Sequence, residues 1–301
     1  MPKHSPVEFL SPLRFFLGVT ITAALIVLAG CEEDVENGDT ALSCPTSERC
    51  EGAFCEQVLI PAGDFSMGTD DPPPNDSYWP AGDARPEHSV HLDAYCIDRY
   101  EVTLERYEAC ADRGVCSYEG LEHNQRDTET IVNHYPPECN DRDDCPDRAV
   151  NAKNYWQAQA YCGWIGGRLC SEAEWERAAN GPGMTKRLHP WGDDEPTFDL
   201  VNLPSTNAYS TGGEGYVEDV DICPDGVSAE GVYNLAGNVY EWVRDEYDEY
   251  NPPDDGEAAD NPLNLPNHAD DEVIGRGSCF FTNSSNTVVE RSVFPPDFDW
   301  G

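Results

Sequence analysis

Thirteen cysteines are the most chemically informative side chains in this 301-residue chain. Twelve of them, Cys44, Cys50, Cys55, Cys96, Cys110, Cys116, Cys139, Cys145, Cys162, Cys170, Cys223 and Cys279, lie beyond residue 31. So many thiols suit an oxidising compartment, where disulfides form and persist. The short spacing of Cys110 and Cys116, and the crowding of Cys44, Cys50 and Cys55, predict local staples; connectivity beyond that stays open. No CxxC pair supports a zinc site, which needs thiolates or imidazoles at close ligand spacing. The other reactive population is acidic: 58 Asp and Glu face 18 Lys and Arg, giving a formal charge of −40 and a pI near 4.1. Such a surface repels nucleic acid and anionic headgroups, so nucleic acid is excluded as a partner. Divalent cations fit better, because carboxylate and carbonyl oxygens are hard ligands for calcium.

Cys31 stands apart from the other twelve. Lys3 and Arg14 form a basic segment, Phe15 to Ala29 is apolar, and Leu28-Ala29-Gly30 leads directly into Cys31. That order reads as a secretory signal over residues 1–30, too short for a confident spanning helix. Its ending resembles a lipobox, which implies that Cys31 becomes the first mature residue and carries a diacylglycerol thioether. Two or three acyl chains, at about 0.8 kcal/mol per buried methylene, hold a protein on a membrane stably. The expected location is therefore the bacterial cell envelope, anchored at the periplasmic face or cell surface.

Composition divides the remainder. Residues 31–55 are polar and acidic, as expected of a tether, and residues 56–301 read as one domain without internal repeats. Val58-Leu59-Ile60 and Val90-His91-Leu92 predict short strands, separated by a Pro-, Gly- and Asp-rich loop from Thr69 to Pro86. Glu105 to Cys110 and Tyr155 to Ile165 carry helical spacing, and Ser171 with Glu174 forms a capping box for a helix reaching Ala179. With 25 Gly and 24 Pro the rest is mostly loop, so disulfides, buried aromatics and bound ions must support it. Trp164, Trp175, Trp191 and Trp242 are the natural core of such a loop-built fold.

A series of ordered motifs carries a family resemblance. Ile60-Pro-Ala-Gly-Asp-Phe-Ser-Met-Gly68 and Ile97-Asp-Arg-Tyr-Glu-Val-Thr103 come first. Ala158-x-Ala-Tyr-Cys-x-Trp164 and Gly167-Arg-Leu-Cys-Ser-Glu-Ala-Glu-Trp-Glu-Arg-Ala-Ala179 follow. His189-Pro-Trp-Gly192, Gly231-Val-Tyr-Asn-Leu-Ala-Gly-Asn-Val-Tyr-Glu-Trp242 and Gly275-Arg-Gly-Ser278 complete the order. Together they resemble the formylglycine-generating enzyme, or sulfatase-modifying factor, family. The resemblance implies an irregular, loop-rich, disulfide-rich α+β fold of C-type-lectin-like type.

It also implies sites. One calcium ion would be held by Asn234, Gly237, Val239 and Glu241, and a second, more loosely matched, by Asn202, Leu203, Glu214 and Tyr216. The family's oxidases hold copper(I) on two cysteines, three and eight positions after the Ser of Gly-Gly-Ser; counted from Ser278, those positions here are Phe281 and Asn286. Soft thiolates are what copper(I) requires, and neither residue supplies one. Cys279 is the nearest thiol, at a displaced position, and Phe280 and Phe281 are expected to desolvate it. The family's usual Gly-Phe-Arg-Cys ending would begin where the sequence stops, and the resemblance pairs Cys162 with that terminal cysteine. The implied function is a non-catalytic, calcium-stabilised scaffold presenting loops to an envelope protein, peptide or glycan. The alternative is an oxidase converting a sulfatase cysteine to formylglycine, the one reading that requires copper.

Overall fold

The computed structural model describes residues 43–44, 47–50, 52–71, 83–119, 121, 139, 145–203, 216–268, 271–280 and 287–298. Cys31 and its signal segment, residues 31–42 of the tether, Glu214, Phe281, Asn286 and residues 299–301 lie outside the described residues. Among the described residues no helix is long and apolar enough to cross a membrane.

Among the described residues eight short strands and three α-helices alternate with long connections, an α+β and loop-rich arrangement as expected. The strands are β1 (Gln57–Ile60), β2 (Gly63–Met67), β3 (His88–Leu92), β4 (Tyr95–Asp98), β5 (Glu241–Glu246), β6 (Ala259–Asp260), β7 (Val273–Arg276) and β8 (Ser292–Phe294). The helices are α1 (Leu104–Asp112), α2 (Tyr155–Ile165) and α3 (Glu172–Asn180). β1 pairs antiparallel with β4; β2, β3 and β6 form one three-stranded sheet, and β5, β7 and β8 another.

Each helix begins where a side chain can satisfy orphan amides. Thr103 accepts from the Arg106 N–H, and Asn154 and Gln157 close a reciprocal capping box on α2. The predicted box on α3 is present: Ser171 Oγ accepts from Glu174 N at 3.1 Å, while Ser171 N donates to the Glu174 carboxylate at 2.7 Å. Gly166 ends α2 at φ 98°, a left-handed position that suits glycine.

α3 is the centre of the fold, with all nine of its residues buried. Trp175 and Ala178 pack against Phe65, Met67, Val90, Leu92, Val243 and Ile274 of the two three-stranded sheets. The helix is far from apolar all round, so its buried polar side chains need partners. Arg276 reaches Glu172 and Glu176, each at 2.7 Å, and Arg291 reaches Glu172 at 2.7 Å. Glu176 also accepts from the Gly68 N–H, and Arg177 pairs with Glu230. A second core joins α1 to α2 through Leu104, Tyr107, Tyr161 and Trp164. Trp164 and Trp175 are buried as expected; Trp191 and Trp242 are half-buried, Trp191 lying stacked on His189.

Among the described residues four disulfides tie the loops: Cys44–Cys96, Cys50–Cys55, Cys110–Cys116 and Cys139–Cys145. The local staple expected at Cys110–Cys116 forms. Cys44 departs from the expectation of a local staple, since it crosses 52 residues to Cys96 beside β1. The stretch read as tether is therefore bonded to the domain from Cys44 onward, and Ser47 and Arg49 donate to the carbonyls of Ile165 and Trp164.

Candidate functional site

The loop between residues 232 and 241 turns back sharply, with left-handed backbone at Asn234 (φ 52°), Gly237 (φ 80°) and Asn238 (φ 61°). Gly237 is required sterically as well, because a Cβ there would meet Val201 Cγ2 at 2.6 Å and the Asn202 carbonyl at 2.7 Å. Its N–H donates to Gly277 O at 2.7 Å, which fastens the loop to the segment after β7.

Glu101, just beyond β4, organises this loop from beneath. Its Oε2 accepts from Asn234 Nδ2 and from Asn238 Nδ2, both at 2.8 Å. Asn234 Nδ2 also donates to Val220 O, and Asn238 Oδ1 accepts from Asn202 Nδ2 and Glu218 N. Both amide hydrogens of Asn234 are thereby committed, to Glu101 and to Val220 O. Glu101 Oε1 is buried with no hydrogen-bond partner among the described residues. Burial pushes the Glu101 carboxyl well above its usual range, the nearby Glu241 adds to the rise, and the two amides and the Val239 backbone N–H oppose it. Glu241 is pushed up to about 7 by burial, against the Trp175 indole N–H that donates to it.

These observations bear directly on calcium. Two neighbouring carboxyls in a desolvated place must be neutralised, either by protons or by a cation. Among the described residues the Asn234 Oδ1, the second Glu241 oxygen and the carbonyls of Gly237 and Val239 accept no hydrogen bond. That is a hard-oxygen donor set left open, and it fits calcium. The second expected set is less open. Asn202 Nδ2 donates to Tyr216 O at 3.0 Å, so those two groups hold each other, and Leu203 is buried beside them. Asn238 joins the two loops by bonding Asn202, a link that motif spacing did not reveal. Glu101 was also overlooked as a site residue; its only signal was its place in the Ile97–Thr103 motif.

The segment where oxidase cysteines would lie follows β7. Gly277 and Ser278 are both left-handed, at φ 89° and 60°, and Cys279 is a buried thiol outside any disulfide. It belongs to the second core with Val239 and Phe280. One buried sulfur beside Phe280 does not fit a two-thiolate copper(I) centre.

A cavity of about 190 Å3 lies under the loop, with Glu101 and Glu241 on its wall beside Tyr100, Tyr233 and Trp175. Cys162 and Cys170, neither in a disulfide, line the same cavity. Burial pushes the Cys162 thiol up to about 12, so it is a poor nucleophile and a poor metal ligand near neutral pH.

Fold and loop together define a sulfatase-modifying-factor-like domain. The chain matches the model of the sulfatase-modifying factor enzyme 1-like domain over residues 45–296 and belongs to that family. The formylglycine-generating enzyme of Bos taurus is 33% identical over 224 residues, which cover 63% of this chain and 58% of that one. Hercynine oxygenase of Mycobacterium tuberculosis is 33% identical over 175 residues, 53% of this chain and 39% of the relative. The chain thus spans little more than half the length of the bovine relative and less of the mycobacterial one. Among solved structures, PvdO from Pseudomonas aeruginosa superposes with a TM-score of 0.55 and 25% identity, covering 81% of this chain and 90% of that one.

Proposed function

We propose that this chain is a lipid-anchored protein of the bacterial envelope whose sulfatase-modifying-factor-like domain is a non-catalytic, calcium-stabilised binding scaffold. The observation that carries the reading is the residue pair at the oxidase positions. Phe281 and Asn286 stand where two thiolates are needed, and the adjacent Cys279 is a single buried sulfur. Fold alone does not convey an activity, and two of the relatives above already differ in theirs.

Calcium, where bound, supplies structural charge: it neutralises Glu241 and the nearby Glu101 and fixes the path of the 234–241 loop. Asn234 and Glu241 would hold it by side-chain oxygens, Gly237 and Val239 by carbonyls. Asn202, Leu203, Glu214 and Tyr216 make a second, weaker set. The presented surface is then rigid without long secondary structure, which suits recognition of an envelope protein, peptide or glycan.

The test is copper(I) titration together with oxygen consumption in the presence of a Cys-x-Pro-x-Arg peptide. The expected result is no tight copper(I) binding and no aldehyde in the peptide. Peptide oxidation that disappears in Cys279→Ser would instead establish the oxidase reading, formation of formylglycine from a sulfatase cysteine.

A further inference from the structure

A second cavity, of about 200 Å3, shares only Arg168 with the first. Its walls are the turn from Leu92 to Tyr95 between β3 and β4, the first turn of α3, the segment Asn261–Leu263, and Arg244 on β5. In β5 the neighbours Val243 and Asp245 are buried while Arg244 is only half-buried, as strand alternation requires. Its backbone is pinned on both sides: Arg244 N donates to Cys170 O at 2.7 Å, and its carbonyl accepts from the Tyr155 hydroxyl at 3.0 Å. Arg244 is thereby held on the cavity wall by a fixed strand.

The charged groups around it are already engaged. Arg168 is held in a fork by Glu174 at 2.7 and 2.8 Å. Asp93 exchanges bonds with Asn261, receiving the side-chain amide at 3.1 Å and donating its own N–H at 2.8 Å. Among the described residues the Arg244 guanidinium has neither an ion pair nor a hydrogen bond, whereas Arg106, Arg148, Arg177, Arg276 and Arg291 are all paired. In a chain with 58 acidic residues and 18 basic ones, a carboxylate partner is statistically close at hand for any arginine. An arginine left unpaired on a cavity wall is therefore available to an outside anion.

The cavity also sets limits on that anion. A guanidinium fork matches a planar carboxylate in two parallel hydrogen bonds. Asp93 and Glu174 on the same wall repel an anion in proportion to its charge, so a single carboxylate is penalised less than a dianion. Leu92 and Pro262 line the space, and Leu263 and Leu265, 42% and 44% exposed, extend an apolar edge beyond it. We propose that this cavity binds a monocarboxylate carried on a small apolar body, with Arg244 as the anchoring residue. The proposal deepens the binding-scaffold reading by naming a ligand class. It is read by titration, whereas that reading fails on peptide oxidation, so the two failures are distinguishable.

The carboxylate could belong to a free small acid or to the C-terminus of a peptide, and the test separates them. Full chain in detergent is titrated calorimetrically with 4-methylpentanoate, with its amide, with Ala-Ala-Leu bearing a free or an amidated C-terminus, and with inorganic phosphate. At least one carboxylate is expected to saturate the site. Its amide should bind about tenfold more weakly or worse, because a charge-assisted pair is lost. Arg244→Gln is expected to weaken the carboxylate by a similar factor while leaving the melting temperature unchanged. Arg244→Lys, which keeps the charge but not the fork, should fall between, and it decides the matter if the Gln variant does not fold. Binding of 4-methylpentanoate supports a free acid; binding of the free tripeptide alone supports a peptide end. No saturation by either carboxylate up to about 10 mM, equal binding of acid and amide, unchanged affinity in Arg244→Gln, or a preference for phosphate would each overturn the proposal.

Discussion

Arg276 Nη2 lies 2.7 Å from Glu176 Oε2, and neither side chain has any exposure to solvent. The same guanidinium reaches Glu172 and lies 4.8 Å above the Trp175 ring, so one arginine neutralises a buried helix face. Replacing Arg276 by Met leaves two buried carboxylates, with only Arg291 on Glu172 to compensate. The expected loss is about 3–5 kcal/mol of folding stability. Urea denaturation measures it, and a loss below about 1 kcal/mol would mean that the pair behaves like a surface contact.

Two groups near that network give stability a definite dependence on pH. Burial pushes Glu172 upward, but the guanidiniums of Arg291 and Arg276 outweigh it and leave the carboxyl below its ordinary value of 4.5. Its contribution is therefore present above pH 4.5 and is lost as pH falls through the lower folded value. Asp245 behaves oppositely: burial, then the charge of Glu172, push it from 3.8 up to about 7. The unfolded chain releases that proton first, so stability falls as pH rises from about 4 to 7, by an amount on the order of a few kcal/mol. Asp245→Asn should flatten this slope in denaturation curves taken at pH 5 and pH 8. An unchanged slope would show that Asp245 is ionised in the fold.

Calcium is expected to raise the melting temperature, with the gain growing as ln(1 + [L]/Kd). Asn234→Ala and Glu241→Ala should lower the melt in chelator as well, since each strips a buried hydrogen bond, but the calcium-dependent gain should vanish in both. Identical melts with calcium and with chelator would eliminate the 234–241 loop as a cation site.

Membrane attachment is expected to depend on one atom, the Cys31 sulfur. Cys31→Ser should shift the protein from the detergent phase to the aqueous phase on partitioning, since the acyl chains supply the binding energy. If the variant partitions like the wild type, a different anchor holds the chain.

The thiols of Cys162 and Cys223 are both pushed up to about 12 by burial. Because the thiolate is the reactive form, iodoacetamide at pH 8 should leave both unmodified in the native protein and label them in urea. Peptide mass spectrometry reads the difference. Fast native labelling of Cys162 would mean that the cavity beneath the loop is open to reagents and less desolvated than the fold indicates.

Local patterns were legible in the residues themselves. The Ser171–Glu174 capping box, the span of α2 from Tyr155 to Ile165 and the Cys110–Cys116 staple depend on neighbours within a few positions, and spacing alone specifies them. The family followed from motif order, and the mismatch at Phe281 and Asn286 was visible by counting from Ser278. Other relationships depend on how loops close in space. Cys44 reads as part of a crowded local set, yet it pairs with Cys96 because β1 and β4 bring their neighbourhoods together. Glu101 is one of 58 acidic residues until the fold carries the 234–241 loop over it and commits both asparagine amides to its carboxylate. Arg244 likewise is one arginine among several until the fold sets it on a cavity wall with no ion pair among the described residues. Capping and short staples are set by covalent spacing; the Cys44–Cys96 bond and the seat of the loop on Glu101 are set by segments 52 and 133 residues apart, and only the tertiary structure brings those together.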